Sequence, residues 1–69
     1  MTVQQIGQLI SKRREFLQLR QEDLSEMSGV AIKTIHLIEK GSGNPSLTTI
    51  EKIATILGLE LMLQIRKNS

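Results

Sequence analysis

Apolar residues recur along most of this chain at intervals of three and four, and near its end at intervals of two. In the stretch 3–17, Val3, Ile6, Ile10 and Leu17 fall on one stripe of a 3.6-residue helix, with Leu9 and Phe16 beside it. Thr2 is placed to cap that helix, and Gln5, three residues on, completes a capping box. Gly7 lies inside it, where glycine weakens a helix by about 1 kcal/mol relative to alanine. The stretch 21–28 predicts a second helix with Leu24 and Met27 facing inward. Its first turn holds Glu22 and Asp23, where the helix dipole favours acid, and Gly29 can take the left-handed conformation that ends it. A third helix is expected over 32–40, with Ile35 and Ile38 on one face, Val30 packing from the preceding turn and Gly41 at the end. After the turn Gly43-Asn44-Pro45, Ser46 is the N-cap of a fourth helix, with Thr48 and Glu51 a rival capping box. Leu47, Ile50, Ile53, Ala54 and Leu57 form its inner stripe, and Gly58 closes it.

The period then changes. Leu59, Leu61, Leu63 and Ile65 alternate with Glu60, Met62, Gln64 and Arg66, the pattern of a half-buried β-strand. A strand needs partners for its backbone N–H and C=O groups, and the helices supply no second one. The simplest partner is the same strand from another copy, antiparallel about a two-fold axis. The face made by Leu59, Leu61, Leu63 and Ile65 would then cover both helical bodies, with Met62 in the same interface. A frayed tail or a fifth helix are the alternatives. The expected architecture is a mostly α, four- to five-helix domain over 1–58, followed by a dimerisation strand over 59–66.

Composition sharpens the need for a second copy. A chain of 69 residues is one small domain, and such a domain buries only about 60% of its unfolded surface, so disulfides, a metal or a partner chain usually stabilise it. There is no cysteine, one histidine, and seven scattered carboxylates, so neither disulfides nor a metal or other cofactor is expected. The net charge of +2 is mild. Its distribution is uneven: Lys12, Arg13, Arg14 and Arg20 face one acid, Glu15, in the first twenty residues. No apolar run approaches the roughly 20 residues of a membrane span, and the N-terminus lacks a signal-peptide core, so a cytoplasmic protein is expected. No catalytic triad, cysteine nucleophile or Gly-rich phosphate loop can be assembled, which argues against an enzyme. Phe16 is the single aromatic residue, a poor basis for stacking on single-stranded bases.

Two short helices joined by a Gly-containing turn form a helix-turn-helix, whose second helix can enter the major groove of DNA. The residues 21–53, QEDLSEMSGVAIKTIHLIEKGSGNPSLTTIEKI, carry an ordered set: Gln21, Glu22, Asp23, Leu24, Gly29, Val30, Thr34, Ile35, Ile38, Glu39, Gly41, Asn44 and Pro45. In that order they resemble the Cro and phage-repressor (Xre-like) helix-turn-helix family, over about residues 6–58. The resemblance implies sequence-specific binding of double-stranded DNA by a transcriptional repressor. It places Gln21 on a phosphate, Ile32, Lys33, His36 and Leu37 at the groove, and Thr34 on the backbone. Lys40, Ser42 and Asn44 follow that helix and reach toward phosphates. It also makes Arg14 and Glu39 a structural ion pair between the first and third helices. With the strand ending, the chain looks most like the HipB-type antitoxin repressors, whose dimers also hold a HipA-type kinase toxin and repress their own operon.

Several positions depart from the family pattern. Arg20 replaces a Ser or Thr cap of the second helix, which loses about 1 kcal/mol and adds a cation near the phosphates. Gln18 stands where glycine is frequent; if left-handed, it carries strain of about 1 kcal/mol. Ala31 replaces the usual cap of the third helix. Ile32 and Leu37 replace polar base readers, and apolar groups can touch a thymine methyl but supply no hydrogen-bond code. His36 reads equally as a contact or as a solvated helix residue, and the run Lys12-Arg13-Arg14 as a phosphate clamp or a solvated face. A protein-binding module that uses the fold only to hold a partner is the competing function; Lys33 and Lys40 favour DNA, Ile32 and Leu37 a protein groove.

Overall fold

The computed structural model describes residues 1–67. It contains four helices: α1 (Val3–Phe16), α2 (Gln21–Ser28), α3 (Ile32–Glu39) and α4 (Leu47–Leu57). Local chemistry sets most of their bounds. At α1 the Thr2 hydroxyl accepts from the Gln5 N–H at 3.1 Å, and the Gln5 side chain accepts from the Thr2 N–H at 2.8 Å. At α4 Ser46, not Thr48, is the cap, accepting from the Thr49 N–H at 3.1 Å.

The C-terminus of α1 is closed by paired bonds: Gln18 N–H donates to the Glu15 carbonyl and Leu19 N–H to the Arg14 carbonyl. This is a Schellman closure, which needs a left-handed residue just past the helix. Gln18 supplies it, with φ 59°. The left-handed backbone on which strain at Gln18 depended is therefore present, and the reversal lets Leu19 turn back onto the core.

Leu24, Ile35, Ile38, Ile53 and Leu57 are the largest fully buried side chains, joined by Ile10, Val30, Ile50 and Ala54. Each such Ile or Leu contributes about 1.5–3 kcal/mol through the apolar surface it removes from water. α1 packs on α3 and α4, and α2 packs on the same two, so α3 and α4 carry the centre of the domain. Gly7 has a larger role than a weak point in α1. A β-carbon there would collide with the Ile38 carbonyl oxygen and lie 3.3 Å from that of Glu39. Glycine is what allows α1 to touch the backbone of α3.

Three residues expected to face inward do not. Met27 is 55% exposed and Leu47 67% exposed, and Leu17 lies just past the end of α1 at the surface. Their stripes are wider than the rows that reach the core: on α4 the row Ile50, Ile53, Ala54, Leu57 fills it without Leu47.

The chain beyond α4 also differs from expectation. Among the described residues no helix follows Leu57 and no strand forms; 59–66 run on from Gly58 without a ladder. The single chain holds no second strand to pair with, so a C-terminal strand is not an element of it. Nor does the alternating face cover the helices. Leu59 packs on the core, but Leu61 and Met62 are exposed, and Leu63 and Ile65 are exposed almost completely. The Cα radius of gyration, 12.3 Å, exceeds the roughly 11 Å of a compact chain of this length. The molecule measures 41 × 23 × 19 Å, as a projecting tail requires.

Candidate nucleic-acid interface

α2 and α3 are joined by residues 29–31 only. The Ser25 hydroxyl donates to the Val30 carbonyl at 2.6 Å, and the Ser28 hydroxyl accepts from the Val30 N–H at 3.2 Å. These bonds fix the turn while Val30 drops into the core. The two serines were not singled out in the sequence, although a serine in the last turn of a helix is a recognisable partner for turn backbone.

With Ile35 and Ile38 in the core, α3 turns its opposite side outward. Ile32, Lys33, His36, Leu37 and Lys40 are all exposed. At 100° per residue they span an arc of about 140°. His36, Lys40 and Lys33 lie along its middle, with Ile32 at one edge and Leu37 at the other. Beyond Leu37 the surface continues into a shallow hollow lined by Thr34, Ser42, Asn44 and Pro45. Ser42 and Asn44 are exposed and Thr34 half-buried. The expected groove residues and three of the expected backbone contacts, Thr34, Ser42 and Asn44, are therefore brought onto one continuous face. Lys33 and Lys40 form no ion pair among the described residues.

Gln21 and Arg20 are placed differently. The Gln21 amide donates to Glu39 at 3.1 Å instead of standing free. Glu39 also takes a two-pronged bond from Arg14, 2.7 and 2.9 Å, and Arg14 donates a third bond to the Leu19 carbonyl at 2.8 Å. Arg14 and Glu39 side chains are only 13% and 7% exposed. Burial pushes the Glu39 carboxyl up, but the bonds from Arg14 and Gln21 and the charge of Arg14 outweigh it and hold it below its ordinary value. The bond to Glu39 likewise raises Arg14. One ion pair thus ties α1, the start of α2 and the end of α3 together, and so fixes where α3 points.

Arg20 is exposed but engaged by two acids, Glu22 at 2.8 Å and Asp23 at 3.0 Å. Its bond to Asp23 raises Arg20 and, with the Arg20 backbone N–H, holds the Asp23 carboxyl down. The cation that departs from the family pattern is locally offset. Nor do Lys12, Arg13 and Arg14 act as one group. Arg14 is spent on Glu39, and Arg13 donates to the Leu57 carbonyl at 2.8 Å, closing the C-terminus of α4, with its guanidinium 5.2 Å above the Phe16 ring. Only Lys12 of the three is fully at the surface.

A second exposed region lies on α1, α4 and the tail. Met1, Leu9, Leu47, Leu61 and Met62 are exposed around two neighbouring hollows, one floored by Ile6, Ile10, Ile50 and Ala54. Leu63 lines the second hollow with Leu47 and Met62, while Ile65 stands free of both. Leu9 and Leu47 were not foreseen here because an exposed residue on the flank of an apolar stripe has no signature of its own.

A four-helix domain whose second and third helices form a rigid, short-turned pair, with the outer face of the third uncovered, is a helix-turn-helix domain. The helix-turn-helix family model matches residues 10–63, and the chain belongs to that family. It is 46% identical over 52 residues to a protein of Methanothermobacter thermautotrophicus named an uncharacterized HTH-type transcriptional regulator, covering 75% of each chain. It is also 46% identical over 43 residues to a protein of the same description from Methanocaldococcus jannaschii, covering 62% of this chain and 65% of that one. No helix among the described residues is long and apolar enough to cross a membrane.

Proposed function

We propose that this protein is a DNA-binding transcription regulator that acts as a homodimeric repressor at a two-fold operator. The observation that carries the reading is the uncovered arc of α3, with two lysines that pair with no carboxylate among the described residues, on a helix whose other side is locked into the core. Such a helix can enter the major groove without disturbing the fold. Ile32, His36 and Leu37 lie against base edges, and Lys33 faces the groove within reach of its phosphates. Lys40, Ser42, Asn44 and Thr34 reach phosphates, and so do backbone N–H groups at the start of α2 by Gln21. Arg20 contributes only once its two acids yield it.

The tail from Leu59 to Arg66 pairs with its counterpart in a second copy, burying Leu61, Met62, Leu63 and Ile65. The exposure of Leu61, Met62, Leu63 and Ile65 beyond the anchored Leu59 supports this, since such apolar surface on a small domain marks an interaction site. A dimer sets two copies of α3 about 34 Å apart, one turn of DNA. The finer role proposed is that of an antitoxin whose partner is a HipA-type kinase toxin encoded beside it, with the dimer repressing their shared operon. It rests on the apolar tail.

Fluorescence anisotropy on the DNA upstream of its own gene tests the first claim: affinity should fall steeply as salt rises, and no salt-sensitive binding to any duplex would sink it. Sedimentation tests the second, with Leu63→Glu expected at half the mass of the parent; equal masses place the interface elsewhere. The antitoxin role requires a neighbouring kinase-like gene whose product co-purifies with this chain.

A further inference from the structure

The outer arc of α3 is unusual in what it offers a base pair. The helix reads Ile32-Lys33-Thr34-Ile35-His36-Leu37-Ile38-Glu39 and contains no Arg, Asn or Gln. The residues that grip guanine or adenine through two hydrogen bonds, apart from lysine, are therefore missing from the helix that would enter the groove. Lysine is a mobile point charge drawn equally to phosphates. His36 alone remains as a short, directional polar group. Two of the five exposed residues are large and apolar, Ile32 at 47% and Leu37 at 39% exposure, and neither is needed by the core. Ile32 borders the Glu39 side of the arc. Leu37 forms the wall of the hollow with Pro45, rimmed by the polar groups of Thr34, Ser42 and Asn44. In the major groove one base alone presents an apolar group: thymine, through its C5 methyl.

We propose that base choice at the operator is made chiefly through thymine C5-methyl groups, contacted by Ile32 and Leu37 at the two edges of the α3 arc. The inference rests on the DNA-binding reading above and names what that surface selects. Lys33 and Lys40, between and beyond the apolar pair, hold the helix against the backbone and supply affinity independent of sequence. Ile32 and Leu37 supply the discrimination, because each thymine methyl they cover leaves water, whereas a cytosine at the same place carries only hydrogen at C5 and offers no methyl to cover. The rim of the hollow limits the Leu37 contact to a methyl-sized group near the helix. The operator is expected to hold thymines at two fixed positions in each half-site, separated along the groove by the width of the arc.

The test begins with selection of bound sites from a pool of random duplexes by the full chain. Each thymine of the enriched site is then replaced singly by deoxyuridine, which keeps every hydrogen bond and removes only the methyl. Affinity should drop about three- to fivefold at two positions in each half-site, the ratio that burial of one methyl implies, and stay unchanged at the others. Ile32→Ala should erase the penalty at one of those positions and Leu37→Ala at the other. Both variants should melt as the parent does, the side chains being more than a third exposed. Lys33→Ala should weaken all duplexes alike and leave both penalties in place. An enriched site that binds equally well with deoxyuridine throughout overturns the inference, as do penalties that survive in both alanine variants. A selection that enriches nothing overturns the DNA reading itself.

Discussion

Replacing Gly7 with alanine sets two effects of opposite sign against each other. Helix propensity favours the variant: alanine in a helix interior gains about 1 kcal/mol over glycine. The structure opposes it, because the new β-carbon would overlap the Ile38 carbonyl oxygen and lie 3.2 Å from the Ile38 carbonyl carbon. These are backbone atoms in the middle of the domain, so no side chain can swing aside. α1 must retreat from α3, which loosens the packing of Ile10 on Ile35 and Ile38 and stretches the Arg14–Glu39 bonds. Overpacking of a tight core costs about 1–3 kcal/mol and more where the contact is rigid. Taking the upper part of that range and subtracting the propensity gain leaves a net loss of about 2 kcal/mol. For a domain of this size that lowers the melting temperature by about 8–16 °C. Thermal unfolding followed by circular dichroism on Gly7→Ala, with the exposed neighbour Gln8→Ala as control, measures it. A variant that melts at or above the parent temperature would refute the close approach and restore Gly7 to a mere weak point in the helix.

Four further substitutions separate the roles assigned above. Arg14→Leu leaves the Glu39 carboxylate largely buried without its cation, and should cost about 3 kcal/mol in urea unfolding. Because Glu39 is held below its ordinary value in the folded state, its contribution is fully present above about pH 4.3, the unfolded value, and is lost as pH falls through the folded one. Glu39→Gln should flatten the loss of stability in that acid window; an unchanged acid limb would show that the pair is not the source. Gln18→Gly removes left-handed strain of about 1–2 kcal/mol at a cost of about 0.4–1 kcal/mol in unfolded-chain entropy, so a net gain is expected in the melting temperature, and a loss would contradict the Schellman closure. Lys33→Ala should reduce the slope of log affinity against log salt by about 0.9 for each phosphate contact removed, while an unchanged slope would take Lys33 off the backbone.

The helices were legible because their ends are written in side chains. Thr2 with Gln5, Ser46 after Pro45, and the left-handed glycines at 29, 41 and 58 each satisfy orphan backbone groups locally, so they mark boundaries without reference to the rest of the fold. The outer face of α3 was legible for the same kind of reason, once Ile35 and Ile38 fixed its inner side. What the sequence could not carry is anything that depends on which elements meet. Gly7 reads as a helix weakness until α3 is placed against it. Arg13 reads as one of three surface cations until its distance to Leu57, forty-four residues away, is known. Gln21 stands at the right place for a phosphate, yet its amide is already committed to Glu39. Leu47 belongs to the α4 stripe by spacing alone, and only the course of the tail shows that it faces Leu61 and Met62.

The tail then sets a condition on the proposed dimer. Burying Leu63 and Ile65 in both copies contributes about 6–12 kcal/mol in total. Association costs about 4–15 kcal/mol in lost freedom before any side chain is ordered. The two ranges overlap, so those two residues about balance the cost, and a dimer joined by tail alone would be weak. Surface that tips the balance is present beside the tail: Leu9 on α1, Leu47 on α4, and Leu61 and Met62 where the tail leaves the core. The interface of a stable dimer must therefore run from the paired tails onto the helices of each copy. Leu59 is anchored by the closure of α4, its N–H bonded to the Ala54 carbonyl at 2.9 Å and its side chain on the core. An interface resting on that anchor would fix the two bodies relative to each other rather than leave them tethered. Reading two half-sites at one spacing demands such rigidity, so the same apolar tail that would stabilise a small domain would also set the distance between its two copies of α3.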